Sequence, residues 1–236
     1  MDARNLYRRL DDDFDLENHT EFGWDLLDLG EHITENFKSR RMGLALDNAQ
    51  TIHKVYTAVF PSEEILERII TTGDRDILLF THHPMIWDNA AEGFPFRNIP
   101  RDLLSQLEDQ RISLFTLHVP LDKNGPYSTT VSLARALGIG YEQDFFEYFG
   151  VYVGVIGKTD KATISDLSES VKARVGHVVK TWRYGTEEIA NQKVALVAGG
   201  GNEPDIVDDI AEAGLNTYIT GVTRFVETYE PSIKFH

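Results

Sequence analysis

The chain has 236 residues, 42% of them hydrophobic and 26% charged, and its formal net charge is −15. This length and composition are typical of a soluble globular protein, and the acidic excess disfavours binding to nucleic-acid phosphates. The absence of cysteine excludes disulfides and thiolate ligands, so any metal site must use histidine, carboxylates or water. We expect a cytoplasmic protein without a membrane partner, because no apolar stretch approaches the length of a bilayer span and no secretory signal is visible.

Along the chain, a polar arm is predicted over residues 1–22, followed by an α/β domain over residues 23–236. Helical apolar spacing predicts helices at 24–37, 61–72, 101–110, 129–139, 163–176 and 204–214. Short apolar runs between turn signals predict strands at 42–47, 55–60, 76–80, 112–118, 151–157, 193–201 and 217–221. The alternation predicts an α/β fold with a mixed, largely parallel sheet and helices on its faces, and it is compatible with two similar α/β subdomains.

Histidines end two of the predicted strands. Residues 76–87 read DILLFTHHPMIW, so His82 and His83 directly follow an apolar strand. The later stretch LHVPLDKN places Asp122 four residues after His118. Ligands of open α/β sheets gather beyond the carboxyl ends of parallel strands. If the two strands are neighbours, three imidazoles and one carboxylate converge, and this ligand set suits zinc, iron or manganese.

The histidine doublet itself suggests two metal ions. Adjacent residues of an extended strand point to opposite sides, so His82 and His83 would not bind one ion from the same strand face. Each can reach a different ion if the chain turns at Pro84, and two ions about 3.5–4 Å apart form a common hydrolytic centre. The alternative is that these are ordinary loop residues. The other internal histidines lack such neighbours, and we expect surface or structural roles for His19, His32, His53 and His177.

These motifs resemble those of the Nif-three-like dinuclear metal-centre proteins, often labelled GTP cyclohydrolase 1 type 2 homologues. The shared landmarks, in order across residues 42–221, are DILLFTHHPMIW, LHVPLDKN, VALVAGGG and TYITG. The resemblance implies that His82 and His83 each ligate one of two divalent ions and that Asp122 is a carboxylate ligand. It places His118 in the pocket, and we assign this histidine the catalytic role of moving a proton or holding the attacking water.

The resemblance also implies that residues 23–236 form an α/β metal-binding domain. The implied function is a dinuclear hydrolase acting on a nucleotide or a related small molecule, assembled as a homo-oligomer, commonly a hexamer. The alternative function is a metal-binding or regulatory protein without turnover.

The sequence departs from the family pattern after TYITG. The family completes its centre with a His-x-x-x-Glu motif whose glutamate bridges both ions, and this chain has no such motif. We expect a C-terminal strand and helix of the family pattern to be missing. Alternatively, Glu227 or Glu230 substitutes as a ligand, or the site holds one ion or none. The glycine-rich stretch AGGGNEPD is interpreted as a tight turn rather than a phosphate loop.

Overall fold

The structure is a computed structural model that describes residues 1–21, 24, 26–88, 95–201 and 205–221. Its helices are Ala3–Asp13 (α1), Glu35–Arg40 (α2), Glu63–Thr71 (α3), Arg101–Asp109 (α4), Val119–Asp122 (α5), Thr129–Leu137 (α6), Ile164–Val175 (α7) and Asp205–Glu212 (α8). Its strands are Gly43–Leu46 (β1), Lys54–Ala58 (β2), Ile77–Thr81 (β3), Ile86–Trp87 (β4), Phe96–Arg97 (β5), Ile112–Thr116 (β6), Gly140–Tyr148 (β7), Val151–Lys158 (β8), Lys193–Val197 (β9) and Tyr218–Thr220 (β10). Within these ranges, every helix is too short or too polar to span a bilayer.

The first compact unit, Met1–Leu121, is built on a four-stranded sheet in the order β1-β6-β3-β2. The pairs β2–β3 and β3–β6 are parallel, and the pair β1–β6 is antiparallel. Thr81 at the end of β3 lies opposite Thr116 at the end of β6. Because these strands are adjacent and parallel, the segments that follow them start side by side at one edge of the sheet.

Both faces of the interior strands β3 and β6 are buried. Successive residues of a strand point to opposite faces, and Ile77 and Leu79 lie in one apolar cluster while Leu78 lies in a second. Helices α3 and α4 add apolar side chains to the first cluster. Helix α1 adds Ala3 and Tyr7 to the second cluster, so residues within the predicted polar arm cover one face of the sheet.

The prediction of one helix over residues 24–37 was wrong. Gly30 has a φ of +63°, a left-handed conformation that interrupts an α-helix. Helix α2 begins only at Glu35, because the Thr34 hydroxyl accepts a hydrogen bond from Phe37 N at 3.1 Å and caps the helix. The apolar spacing of this stretch reflects burial in the core rather than one continuous helix.

The second unit, from Asp122 onward, contains a sheet in the order β10-β9-β8-β7. Here β9–β10 is parallel, whereas β7–β8 and β8–β9 are antiparallel. The mixed α/β fold is therefore confirmed, with the parallel pairs concentrated in the first unit. Strand β7 was not predicted, because it lies at the edge of the sheet and exposes mostly polar side chains, which weakens its apolar alternation.

Candidate metal centre

The histidine doublet lies just beyond the end of β3. The backbone N–H groups of His82 and His83 donate to the carbonyls of Ala58 (3.2 Å) and Val59 (2.9 Å), the last residue of β2 and the next residue. Their ring centroids are 4.5 Å apart at an interplanar angle of 76°. Because the extended conformation ends at Thr81, the two imidazoles lie on the same side. The expectation that they would face opposite sides was therefore wrong.

The third histidine arrives from the neighbouring strand. His118 follows β6 by two residues, and its ring centroid lies 4.8 Å from that of His82 and 4.7 Å from that of His83. One ring nitrogen from each histidine lies within 4.8 Å of the others, and all three side chains are half-buried. Parallel pairing of β3 with β6 thus brings together three of the four residues that the sequence predicts at the site.

Hydrogen bonds at Nδ1 determine which ring nitrogens can bind a metal. His82 Nδ1 lies 2.8 Å from the carbonyl oxygen of Leu117, and His118 Nδ1 contacts Oε1 of Glu21. A carbonyl or carboxylate oxygen only accepts, so each Nδ1 carries a proton, and in the neutral imidazole Nε2 then keeps its lone pair. This arrangement is the usual outer-shell support of a metal-ligating histidine.

His83 is held in its neutral form. Burial, and after it positive charge on the neighbouring His82 and His118, lowers the pKa of His83 to about 2. Its ring stacks on Phe60, with centroids 4.5 Å apart and planes 8° from parallel. Nδ1 of His83 is buried and has no hydrogen-bond partner among the described residues. Neutral imidazole is the form that binds metal ions, so this environment favours ligation over protonation.

Glu21 and Trp24 belong to the site, and sequence reasoning missed both. Glu21 is only 1% exposed, and its Oε1 accepts from the indole Nε1 of Trp24 at 3.0 Å as well as from His118. The Trp24 ring meets the rings of His83 and His118 edge-on, each at a centroid distance of 5.5 Å. Because Glu21 and His118 are separated by 97 positions, no local spacing pattern connects them.

Aromatic side chains surround one side of the histidine cluster. Strands β4 and β5 pair as a short antiparallel ladder that supplies Trp87 and Phe96. The Trp87 and Phe96 centroids are 5.2 Å apart, and Phe96 lies 5.1 Å from Trp24 and 5.5 Å from His83. This apolar wall lowers the local dielectric constant and strengthens electrostatic interactions at the imidazoles.

The other ligands that the sequence predicts are Asp122 and, as alternatives, Glu227 and Glu230. Asp122 belongs to the second unit, and its Oδ1 accepts from the hydroxyl of Thr129 at 2.8 Å. Its role as a metal ligand stays a prediction. Glu227 and Glu230 lie outside the described residues. In the part of the chain that the structure describes, His32 lies apart from the cluster and pairs with Glu108 at 3.3 Å.

The donor set fits a divalent metal ion. Three neutral imidazoles are a common protein ligand set for such ions, with metal–nitrogen distances of about 2.0–2.1 Å for zinc. Two of them already have Nδ1 hydrogen bonds that direct Nε2 away from the protein partner. The histidine cluster can therefore hold a metal ion.

Comparison with known proteins finds one matching family and several similar proteins. A family model described as Duf34/NIF3 (NGG1p interacting factor 3) matches residues 32–231, which is 200 of the 236 residues. The chain is 28% identical to the GTP cyclohydrolase 1 type 2 homolog of Pyrococcus horikoshii over 162 residues, 67% of this chain and 62% of that protein. It is also 28% identical to the protein of that name from Archaeoglobus fulgidus over 180 residues, 76% of this chain and 68% of the relative.

A solved structure, described as a structural-genomics protein of unknown function, has a similar fold. Its TM-score is 0.72 with 21% sequence identity, and the match covers 100% of this chain and 83% of that chain. The chain spans less than two thirds of the length of the Pyrococcus relative.

Proposed function

The chain belongs to the Duf34/NIF3 family, and on that premise we propose that it is a divalent-metal-dependent hydrolase acting on a nucleotide or a related small molecule. The observation that carries the proposal is the convergence of His82, His83 and His118 at one sheet edge, within 4.8 Å of one another. The nucleotide substrate class is suggested by the name of the relatives, GTP cyclohydrolase 1 type 2 homolog.

Each histidine of the cluster would have a distinct part in metal binding. His82 and His118 present Nε2 because their Nδ1 protons are donated to Leu117 O and Glu21. His83 stays neutral in its buried environment and so remains available as a ligand. A bound divalent ion supplies Lewis acidity and lowers the pKa of a coordinated water.

A second ion and its carboxylate ligand are part of the proposal. We propose, from the family resemblance, that His82 and His83 each ligate a different ion and that Asp122 completes the ligand set. If His118 Nε2 faces a metal-bound water instead of the ion itself, His118 would move a proton or orient that attacking water, a role that suits an imidazole. We further propose that the protein acts as a homo-oligomer, a hexamer by family resemblance.

The alternative is a metal-binding or regulatory protein without turnover. The buried carboxylate of Glu21 behind His118 supports this alternative equally, because outer-shell support strengthens metal binding whether or not a reaction follows.

One experiment tests the proposal and separates it from the alternative. The protein is stripped of metal with a chelator, reloaded with zinc, manganese or iron, and assayed for hydrolysis of nucleotides and phosphoesters, with metal stoichiometry measured on the same samples. Hydrolysis that depends on metal and is lost in His118→Ala supports the hydrolase. Tight metal binding without turnover on any substrate supports the alternative, and no metal binding contradicts both.

A further inference from the structure

We infer that Glu21 is a positioning residue of the metal centre, whose buried carboxylate holds the Nδ1–H of His118 and so presents His118 Nε2 to a divalent ion. The inference rests on the proposed metal binding, and it adds to the site a residue outside the family motifs. Glu21 precedes residue 32, where the match to the family model begins.

The contacts of Glu21 are those of an outer-shell carboxylate. Its Oε1 receives two donors, the imidazole of His118 and the indole Nε1 of Trp24 at 3.0 Å. The two donors come from distant parts of the chain, and together they restrict both the orientation of the carboxylate and that of the imidazole. A neutral imidazole held in this way has one possible tautomer, with the proton on Nδ1 and the lone pair on Nε2.

Burial of Glu21 also favours a cation close to His118. The side chain is 1% exposed, and its second oxygen, Oε2, is buried without a hydrogen-bond partner among the described residues. An ionised carboxylate removed from water is costly unless positive charge compensates it. A divalent ion on Nε2 would provide that charge through the imidazole, and the carboxylate in turn would make the imidazole a more basic ligand.

Glu17 offers a matched control, because it is an exposed glutamate four positions away in the same segment. The experiment compares the wild-type protein with Glu21→Gln, Glu21→Ala and Glu17→Gln. Zinc affinity is measured by competition with a chromogenic chelator. The tautomer of His118 is measured in the metal-free protein by long-range ¹H–¹⁵N NMR, with His118→Gln used to assign the signals.

Loss of an outer-shell partner typically weakens metal binding by about 10- to 100-fold. We therefore expect Kd to rise about tenfold in Glu21→Gln, where an amide oxygen still accepts but the charge is lost, and towards 100-fold in Glu21→Ala. Glu17→Gln should bind zinc as the wild type does. In the NMR spectra, His118 should be the Nδ1–H tautomer in the wild type and in Glu17→Gln, and it should shift towards Nε2–H in Glu21→Ala.

Unchanged zinc affinity in both Glu21 variants, or a wild-type His118 protonated on Nε2, would overturn the inference. If Glu21→Ala does not fold, the nearly isosteric Glu21→Gln carries the affinity test. If the wild type binds no zinc, the proposed function fails, while the tautomer of His118 in the metal-free protein still decides whether Glu21 positions it.

Discussion

The interior strands β3 and β9 are followed by very different residues at their carboxyl ends. Each strand lies inside a four-stranded sheet and carries mostly buried apolar residues. After β3 come the half-buried imidazoles of His82 and His83, which meet His118 from the adjacent strand. After β9 come Ala198 and a run of glycines, which offer no side chain that could ligate an ion or move a proton.

Close packing accounts for Gly201, the last of the glycines after β9. A Cβ built on Gly201 would lie 2.0 Å from the hydroxyl of Tyr218 and 2.7 Å from Cβ of Val197. The Tyr218 hydroxyl also donates to the Gly201 carbonyl at 2.6 Å. A strand end at a sheet edge therefore does not by itself make a site, because the chemistry depends on the side chains that lie there.

The largest expected effect is a loss of zinc affinity when a histidine after β3 is replaced. His82→Ala removes a ligand whose Nδ1 is already held by Leu117 O, and we expect the zinc Kd to rise by more than about 100-fold, beyond the usual loss for an outer-shell partner. The competition assay with a chromogenic chelator measures this change. His177→Ala is the control, since His177 is exposed and lies in the second unit. Equal zinc affinity in the two variants would show that the end of β3 does not bind the metal and so does not differ from the end of β9 in this respect.

A substitution at the carboxyl end of β9 should change the stability of the protein but not its affinity for zinc. Gly201→Ala forces a Cβ into contact with Tyr218 and Val197, and overpacking of this kind costs about 1–3 kcal/mol in the free energy of unfolding. Urea denaturation measures the loss, and the zinc affinity should stay at the wild-type value. Gly185→Ala serves as the control, because its Cβ would meet no atom within 4 Å. Similar stability of the two variants would contradict this role of close packing.

The free energy of unfolding is expected to depend on pH through Asp76, the residue before β3. Asp76 precedes β3, and its hydrogen bonds to Arg111 hold the pKa of this carboxyl below its ordinary value of 3.8. The stabilisation is therefore fully present above pH 3.8 and is lost as the pH falls through the lowered pKa of the folded state. Asp76→Asn should flatten this part of the stability curve, measured by urea denaturation between about pH 2 and 5. Exposed Asp13→Asn should leave the slope unchanged, and an equal slope in Asp76→Asn would refute the assignment.

The smallest expected effect is at Trp24. Trp24→Phe removes the indole donor to Glu21, and a net hydrogen-bond contribution of about 0.5–1 kcal/mol corresponds to a two- to fivefold rise in Kd. The variant should also lose most of the metal-induced change in tryptophan fluorescence, because the Trp24 ring contacts two of the histidines. Trp182→Phe, in the second unit, should retain that change. A fluorescence response that persists when both Trp24 and Trp87 of the aromatic wall are replaced by Phe would place the metal elsewhere.

Part of this site was predictable because its signals are local. The run from Ile77 to Thr81 is apolar and short, and both it and the strand from Ile112 end next to histidines. Topological rules for parallel sheets then place their carboxyl ends together, as the pairing of β3 with β6 confirms. The edge strand β7 escaped prediction because exposure of its side chains removes the apolar alternation on which strand prediction depends.

The amino-acid sequence alone determined the mixed α/β architecture, the buried strands and the histidines that end them, because apolar periodicity and turn residues are read within a few neighbouring positions. Only the tertiary structure decided that His82 and His83 share a side and that Glu21 meets His118. The first contact depends on where β3 stops being extended, and the second joins residues 97 positions apart. Neither feature produces a periodic pattern in the sequence.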